Sequence, residues 1–387
     1  MIFTLPTAVP RYTQAPILYL EEYFPDNTLL LLDQDTDIGK LSHWQNHFDH
    51  IKNFVADNDI RVIVIHAAIN PVTLDEKYGW DHSNNRLAPT FLEMQQQLST
   101  VVTTYILTGD FFYYYNPEPD IIFFPVFLWL NSSRRIGEFF AKDPTTYERT
   151  NTVYDIDFEP KTKTLMCLNS NPVWHRIYLF SLLADKSWLG SIGYSFGAST
   201  AYQDEISFRD RLTDRAVTSF MSPEEIALAE SHADRLPIAL IEDNDFGSNK
   251  SSIDSWIYRD YAINLVTETS LTEGIMLTEK ICKPFTACQI PILIAPIGAN
   301  QFLEDLGLDM FADYIPWQTW DHVADHKLRI RLIVDFVDKL LAEPDAEQAI
   351  LSTHQQFHSR LIKNKEYFHS LELQDRLLKQ LVLPRSV

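Results

Sequence analysis

Glycine is scarce, 11 among 387 residues, and 45% of the chain is hydrophobic with 13% aromatic, which excludes a fibrous chain and a disordered one alike. Cysteine is scarcer still. Cys167, Cys282 and Cys288 form an odd, scattered set without CxxC spacing, so neither a disulfide scaffold nor a structural zinc site is expected, and a reducing compartment fits best. Positive charge is short as well: 32 Lys and Arg against 53 Asp and Glu leave a formal net charge of -21. That balance opposes nonspecific attraction to nucleic-acid phosphates or anionic lipid. Long hydrophobic runs are missing, and the opening "MIFTLPTAVPRYTQAPILYL" carries two early prolines, Pro6 and Pro10, with no basic stretch before an apolar core. Neither a transmembrane helix nor a signal peptide is expected, and the chain reads as cytoplasmic.

What is present is an alternation. "TLLLLD" (28–33), a polar helix around "SHWQNHFDHIKNFVADN" and "IRVIVIHAA" (60–68) read as strand, helix, strand. A helix over 88–101 and a strand over 103–110 follow, then "DIIFFPVFLWL" (120–130), where Pro125 argues against one long central strand. Periodicity fades over 131–160 and resumes with the strand "KTLMCLN" (163–169), the helix "WHRIYLFSLLADKS", the strand "LGSIGYSF" and a capped helix opening at Ser222. Strands at 261–269 and near 290 and a helix-rich end complete the pattern. The length exceeds one comfortable core. The expectation is an α/β protein with two Rossmann-like domains facing a cleft at the carboxyl ends of their strands, where open parallel sheets bind ligands. The domains are drawn as 1–155, 156–345 and a C-terminal helical segment, 346–387.

Two segments carry candidate chemistry. In "TLMCLNSNPVWHRIYLFSLL" (164–183) a strand ends at Asn169 and a helix with His175 and Arg176 in its first turns follows. Such a turn offers backbone N–H groups and the positive end of a helix dipole to an anion, and Arg176 can clamp a phosphate or pair with a surface carboxylate. In "NLVTETSLTEGIMLTEKICKPFTACQIPILIAPIG" (264–298) a strand ends near Glu268. Thr278 can cap a helix whose first turn holds Glu279 and Lys280, while Pro284 predicts a kink or a fresh start. A carboxylate beside a lysine suits ribose hydroxyls and phosphate charge, or is a surface ion pair of little weight.

Other signals point elsewhere. Gly193-Tyr194-Ser195-Phe196-Gly197 matches the G-x-S-x-G nucleophile elbow, which makes a serine hydrolase using Ser195 an alternative, although no apolar helix follows in the sequence. "EDNDFGSNK" (242–250) lacks calcium-loop spacing. His43, His47 and His50 share a helical face without a partner cluster, so no metal site is expected. The aromatic run 111–115 reads as core or as a wall on which a sugar can stack.

The order of the two segments resembles the fucosyltransferase-like glycosyltransferases, with bacterial and viral relatives, over roughly residues 160–345. The matching pieces are the Asn169 to Arg176 segment, then Thr278-Glu279-Lys280 and the "KPFTACQIPILIAPIGANQFLEDLG" that follows. The resemblance implies a GT-B architecture and an inverting, metal-independent transfer of a hexosyl- or fucosyl-type sugar. It implies a nucleotide-diphosphate sugar donor, GDP or UDP, held by Asn169, Arg176, Thr278, Glu279 and Lys280, with Glu268 near the donor sugar. Many members carry E-N-S where this chain has Glu268-Thr269-Ser270, which leaves the donor open. The acceptor would be a glycan or small molecule. A general base is expected from the N-terminal half, with Asp110 favoured over His66, Glu118 and Asp120 because it closes a strand. A catalytically silent nucleotide-sugar-binding protein is the remaining alternative.

Overall fold

The computed structural model describes residues 2–4, 28–32, 48–67, 89–108, 119–123, 125, 159–169, 172–196, 208–236, 255–268, 271 and 277–379. The chain divides into two compact units. The first is Met1–Leu130 with Thr272–Leu277 and Gln374–Val387, and the second is Asn131–Leu271 with Thr278–Leu373.

The first unit holds a parallel sheet in the order β1-β2-β3-β4-β5, formed by Ile2–Thr4, Thr28–Leu32, Val62–Ala67, Thr103–Thr108 and Ile121–Phe123. Helix α1 (Phe48–Asp57) joins β2 to β3, and α2 (Pro89–Leu98) packs on β3 and β4. Ile63, Val64, Ile65, Ile106 and Leu107 are buried, as expected of strands covered on both faces. The fifth strand stops at Phe123, two residues before Pro125, in keeping with the missing donor of proline.

The second unit is built on four parallel strands, β6 (Lys163–Asn169), β7 (Gly193–Phe196), β8 (Tyr261–Thr267) and β9 (Ile290–Ile294), in the order β7-β6-β8-β9. Every residue of β8 and β9 is buried. The strand expected over 189–196 is shorter than its sequence suggests. Leu189–Ser191 form a 3-10 turn and only Gly193–Phe196 pair with β6, beginning at a glycine whose Cβ would lie 2.4 Å from the ring of Tyr261. The polar residues inside the sheet are matched: Asn264 donates to Gln289 at 2.9 Å, and Gln289 donates to the carbonyls of Tyr258 and Tyr261.

Helix α3 (Trp174–Leu183) follows β6 and is buried nearly all round. Short helices α4 (Phe208–Leu212) and α5 (Arg215–Thr218) lead to α6 (Pro223–Ser231). There Ser222 and Glu225 form the capping box that the sequence announces. Helix α7 (Ser255–Asp260) precedes β8, α8 (Glu279–Thr286) precedes β9, and α9 (Ala299–Asp305) follows it. The chain ends in α10 (His326–Ala342), α11 (Ala346–Gln356), α12 (His358–Phe368) and α13 (Leu371–Leu378). Helices α6 and α10 pack on α3, α11 on β6 and β8, and α12 on α8. Helix α8 does not start anew at Pro284; it runs through that residue and stops two positions later, so the missing donor costs little additional helix.

Candidate functional site

The strand order places a switch point between β6 and β8. From β6 the chain passes through α3 to β7 on one side, then returns across β6 to lay β8 on the other. Crevices at the carboxyl ends of strands flanking such a point are where open α/β sheets take ligands. Asn169 ends β6 and Thr267 ends β8, and the Thr267 hydroxyl donates to the Asn169 side-chain carbonyl. Asn169 is 1% exposed, and its amide donates to Cys167 Sγ at 3.2 Å.

The residue after Thr267 is held from three elements. The Glu268 N–H donates to the Ile294 carbonyl at the end of β9, at 2.9 Å. Its carbonyl accepts from His175 Nε2 at 3.0 Å and Arg176 Nη2 at 3.2 Å, both in the first turn of α3. Arg176 also donates to the Thr267 carbonyl at 3.1 Å. The Glu268 carboxylate, 0% exposed, accepts the Thr278 N–H at 3.0 Å on one oxygen and the Thr278 hydroxyl at 2.5 Å on the other.

Thr278 is the N-cap of α8, and its hydroxyl accepts from Lys280 N at 3.4 Å and Lys280 Nζ at 3.2 Å. Glu279 is the first residue of that helix. The expected cap and first turn are therefore present. Lys280 is half-buried, whereas Arg176 at 4% exposure has its guanidinium on backbone carbonyls.

Burial, reinforced by the neighbouring Arg176, pushes the His175 imidazole well below its ordinary range, so the ring is neutral. Its Nε2 faces a carbonyl and must carry the proton, leaving Nδ1 as a lone pair without a hydrogen-bond partner among the described residues. His326, the first residue of α10, is likewise pushed down to about 4 by burial and Arg329. Its Nδ1 accepts from Arg329 Nη2 at 3.0 Å. Arg329 also donates to the carbonyls of Val323 and Leu271.

The third helix start at this end of the sheet is already filled. Asp321, 2% exposed, accepts from Asn300 N at 3.1 Å, Asn300 Nδ2 at 2.7 Å and Gln301 N at 3.0 Å, in the first turn of α9. Gly298, at φ 78, makes the left-handed turn that leads into it. A side chain of the protein thus occupies the place an anion would take.

The remaining candidates are placed as follows. Ser195 lies inside β7, 6% exposed and in register with Leu168, so it sits within the strand rather than on a turn after it. His66 is on β3 opposite Leu107, and Asp120 is exposed just before β5. Asp110, Glu118, Glu273, His43, His47, the 111–115 run and the 242–250 segment lie outside the described residues. His50 is on α1. Lys283 Nζ stands 5.7 Å from the ring centre of Tyr258. The three cysteines are buried and form no disulfide. Among the described residues no cluster of three or more His, Cys, Asp or Glu is placed to hold a metal, and no helix is long and apolar enough to cross a membrane.

Sequence reasoning missed Thr267, Asp321, His326 and Arg329. Thr267 stands beside Glu268 at a strand end, a position that could have flagged it; Asp321 and Arg329 reach partners 20 residues or more away, whereas His326 meets Arg329 at the i, i+3 spacing of one helix, a local signal.

No protein-family model and no curated protein matches the chain. Among solved structures, the crystal structure of an alpha1,3-fucosyltransferase with GDP-fucose is similar to it, at 10% identity and a TM-score of 0.31, covering 89% of this chain and 92% of that chain.

Proposed function

We propose that the protein is a glycosyltransferase of the two-domain GT-B kind that uses a nucleotide-diphosphate sugar, with GDP or UDP as the nucleotide. The observation that carries this reading is the joining of Asn169 and Thr267 at the switch point, with the first turns of α3 and α8 gathered on Glu268 beside it. Two helix N-termini and a half-buried lysine at the carboxyl ends of parallel strands suit a diphosphate.

In this reading Lys280 and the α8 N-terminus meet the charge that develops as the diphosphate leaves, and Glu279 takes the ribose hydroxyls. The acceptor hydroxyl gives its proton to a general base, Asp110, and its oxygen attacks the anomeric carbon. The bond from that carbon to the diphosphate oxygen breaks, its electron pair leaves with the diphosphate, and the configuration inverts. Charge stabilisation by Lys280 and backbone N–H groups requires no metal. The net charge of -21 favours a glycan or small acceptor over nucleic acid, and a cytoplasmic setting agrees with three buried thiols.

The test is titration of the full-length protein with GDP, UDP and their sugars, followed by turnover with a panel of acceptors. Binding of one nucleotide, weakened about tenfold but still measurable in Lys280→Ala, supports the reading. If neither nucleotide binds the wild type at millimolar concentration, the proposal fails. Nucleotide binding without turnover on a broad panel would instead favour a silent binding protein. A serine-reactive phosphonate whose labelling disappears in Ser195→Ala would favour a hydrolase.

A further inference from the structure

Glu268 has no exposed surface, yet it directly follows β8 at the switch point. Its N–H is tied to β9, its carbonyl to α3 and its carboxylate to the N-cap of α8. The chemistry of Thr278 gives that arrangement a direction. A threonine hydroxyl has one proton and two acceptor sites. A carboxylate accepts, so the proton goes to Glu268 and both acceptor sites face Lys280, one toward its backbone N–H and one toward Nζ. The carboxylate thereby sets the rotation of the hydroxyl, and the hydroxyl sets the ammonium.

We propose that Glu268 is a positioning residue that orients Lys280 through the Thr278 hydroxyl, and that His175 and Arg176 hold the peptide bearing Glu268. The consequence for activity rests on the nucleotide-sugar reading. On that reading neither Glu268 nor Arg176 touches the donor; both act through the start of α8. Glu268→Gln keeps the size of the side chain but turns an amide N–H toward Thr278. The hydroxyl must then accept from that amide, and one of the sites serving Lys280 is lost.

The first measurement needs no ligand. Amide hydrogen exchange across 277–283 in the full chain is expected to quicken about tenfold in Glu268→Gln, and at Lys280 in Thr278→Val, while Thr278→Ser stays within about threefold of wild type. Unchanged exchange in Glu268→Gln overturns the proposal, whatever the protein binds. If that variant does not fold, the Thr278→Ser and Thr278→Val pair decides by the same reading: equal exchange in the two removes the hydroxyl from the account.

The second measurement is affinity for bare GDP and UDP and for their sugars. Glu268→Gln is expected to weaken a nucleotide and its sugar by the same factor, about tenfold, and to add less than about threefold on top of Lys280→Ala. A loss confined to the nucleotide sugar, or a full effect persisting in Lys280→Ala, makes Glu268 a direct contact and overturns the proposal. Failure of wild type to bind either nucleotide removes the glycosyltransferase reading alone, and hydrogen exchange then decides the positioning role.

Discussion

The hydroxyl of Thr267 donates to the side-chain carbonyl of Asn169, joining the last residues of β8 and β6 although they stand 98 positions apart. Both side chains are buried, so neither group has water to fall back on. Thr267→Val keeps the shape and removes the donor, leaving the Asn169 oxygen unsatisfied. The expected cost is about 1–3 kcal/mol, read as a lower midpoint in urea with unchanged slope. A midpoint equal to that of wild type would mean that the bond contributes nothing.

That bond also marks how far the sequence was legible. The strand "KTLMCLN" reads as 163–169 and folds as Lys163–Asn169, because a short apolar run bounded by polar turns has few other fates. Ser222 and Thr278 cap the helices their spacing announces, since capping is decided within four residues. Glu268 was legible as a charged residue at a strand end, but its complete burial was not. A glutamate reads as surface until the donors that satisfy it are known, and these come from Thr278, ten residues on. The carbonyl partners of Arg176 were not legible either. Its guanidinium lies on carbonyls that follow it by 91 and 92 positions, a pairing that no local pattern encodes.

Arg360 on α12 forks onto two carboxylates. It meets Asp309 at 2.7 and 2.8 Å and Asp313 at 2.8 and 2.9 Å, with its guanidinium 4.8 and 4.5 Å from the ring centres of Phe311 and Phe357. A planar fork set against two neighbouring aromatic rings is not reproduced by an ammonium. Arg360→Lys is expected to lose about 1–2 kcal/mol of unfolding free energy despite keeping the charge. A lysine variant as stable as wild type would reduce the arrangement to a plain ion pair.

Acid should weaken the second unit through its buried histidines, His354 and His326 as well as His175. His354, whose Nε2 donates to the Cys288 carbonyl at 2.8 Å, is pushed down to about 4 by burial, and His326 is pushed down to about 4 by burial and Arg329. Each has an unfolded value of 6.5, so between pH 6.5 and 4 the unfolded chain binds the additional protons. Stability is therefore complete above about pH 6.5 and falls as pH drops toward 4, by about 2–3 kcal/mol per histidine. His354→Gln keeps a donor for the carbonyl and does not titrate, so its unfolding free energy should fall less steeply over that window. Parallel curves for variant and wild type would remove His354 from the account.

At the alkaline end the sign reverses in origin but not in slope. Lys161 is buried, with Nζ at 2.9 Å from the Ala287 carbonyl and 3.3 Å from the Tyr258 carbonyl, and burial pushes its ammonium down from 10.5 to about 8. Below pH 8 the folded protein carries a desolvated charge. Between 8 and 10.5 the folded lysine has released its proton while the unfolded one keeps it, so this group's contribution to stability rises with pH, by up to about 3 kcal/mol. Other groups titrate in the same window, including Cys167, whose thiol burial pushes up to about 12 with the opposite effect. The useful quantity is therefore a difference. The unfolding free energy of wild type minus that of Lys161→Met should climb from pH 8 to 10.5 and level off beyond it. A flat difference would mean that Lys161 titrates as it does in water, and that its two carbonyl partners compensate its burial in full.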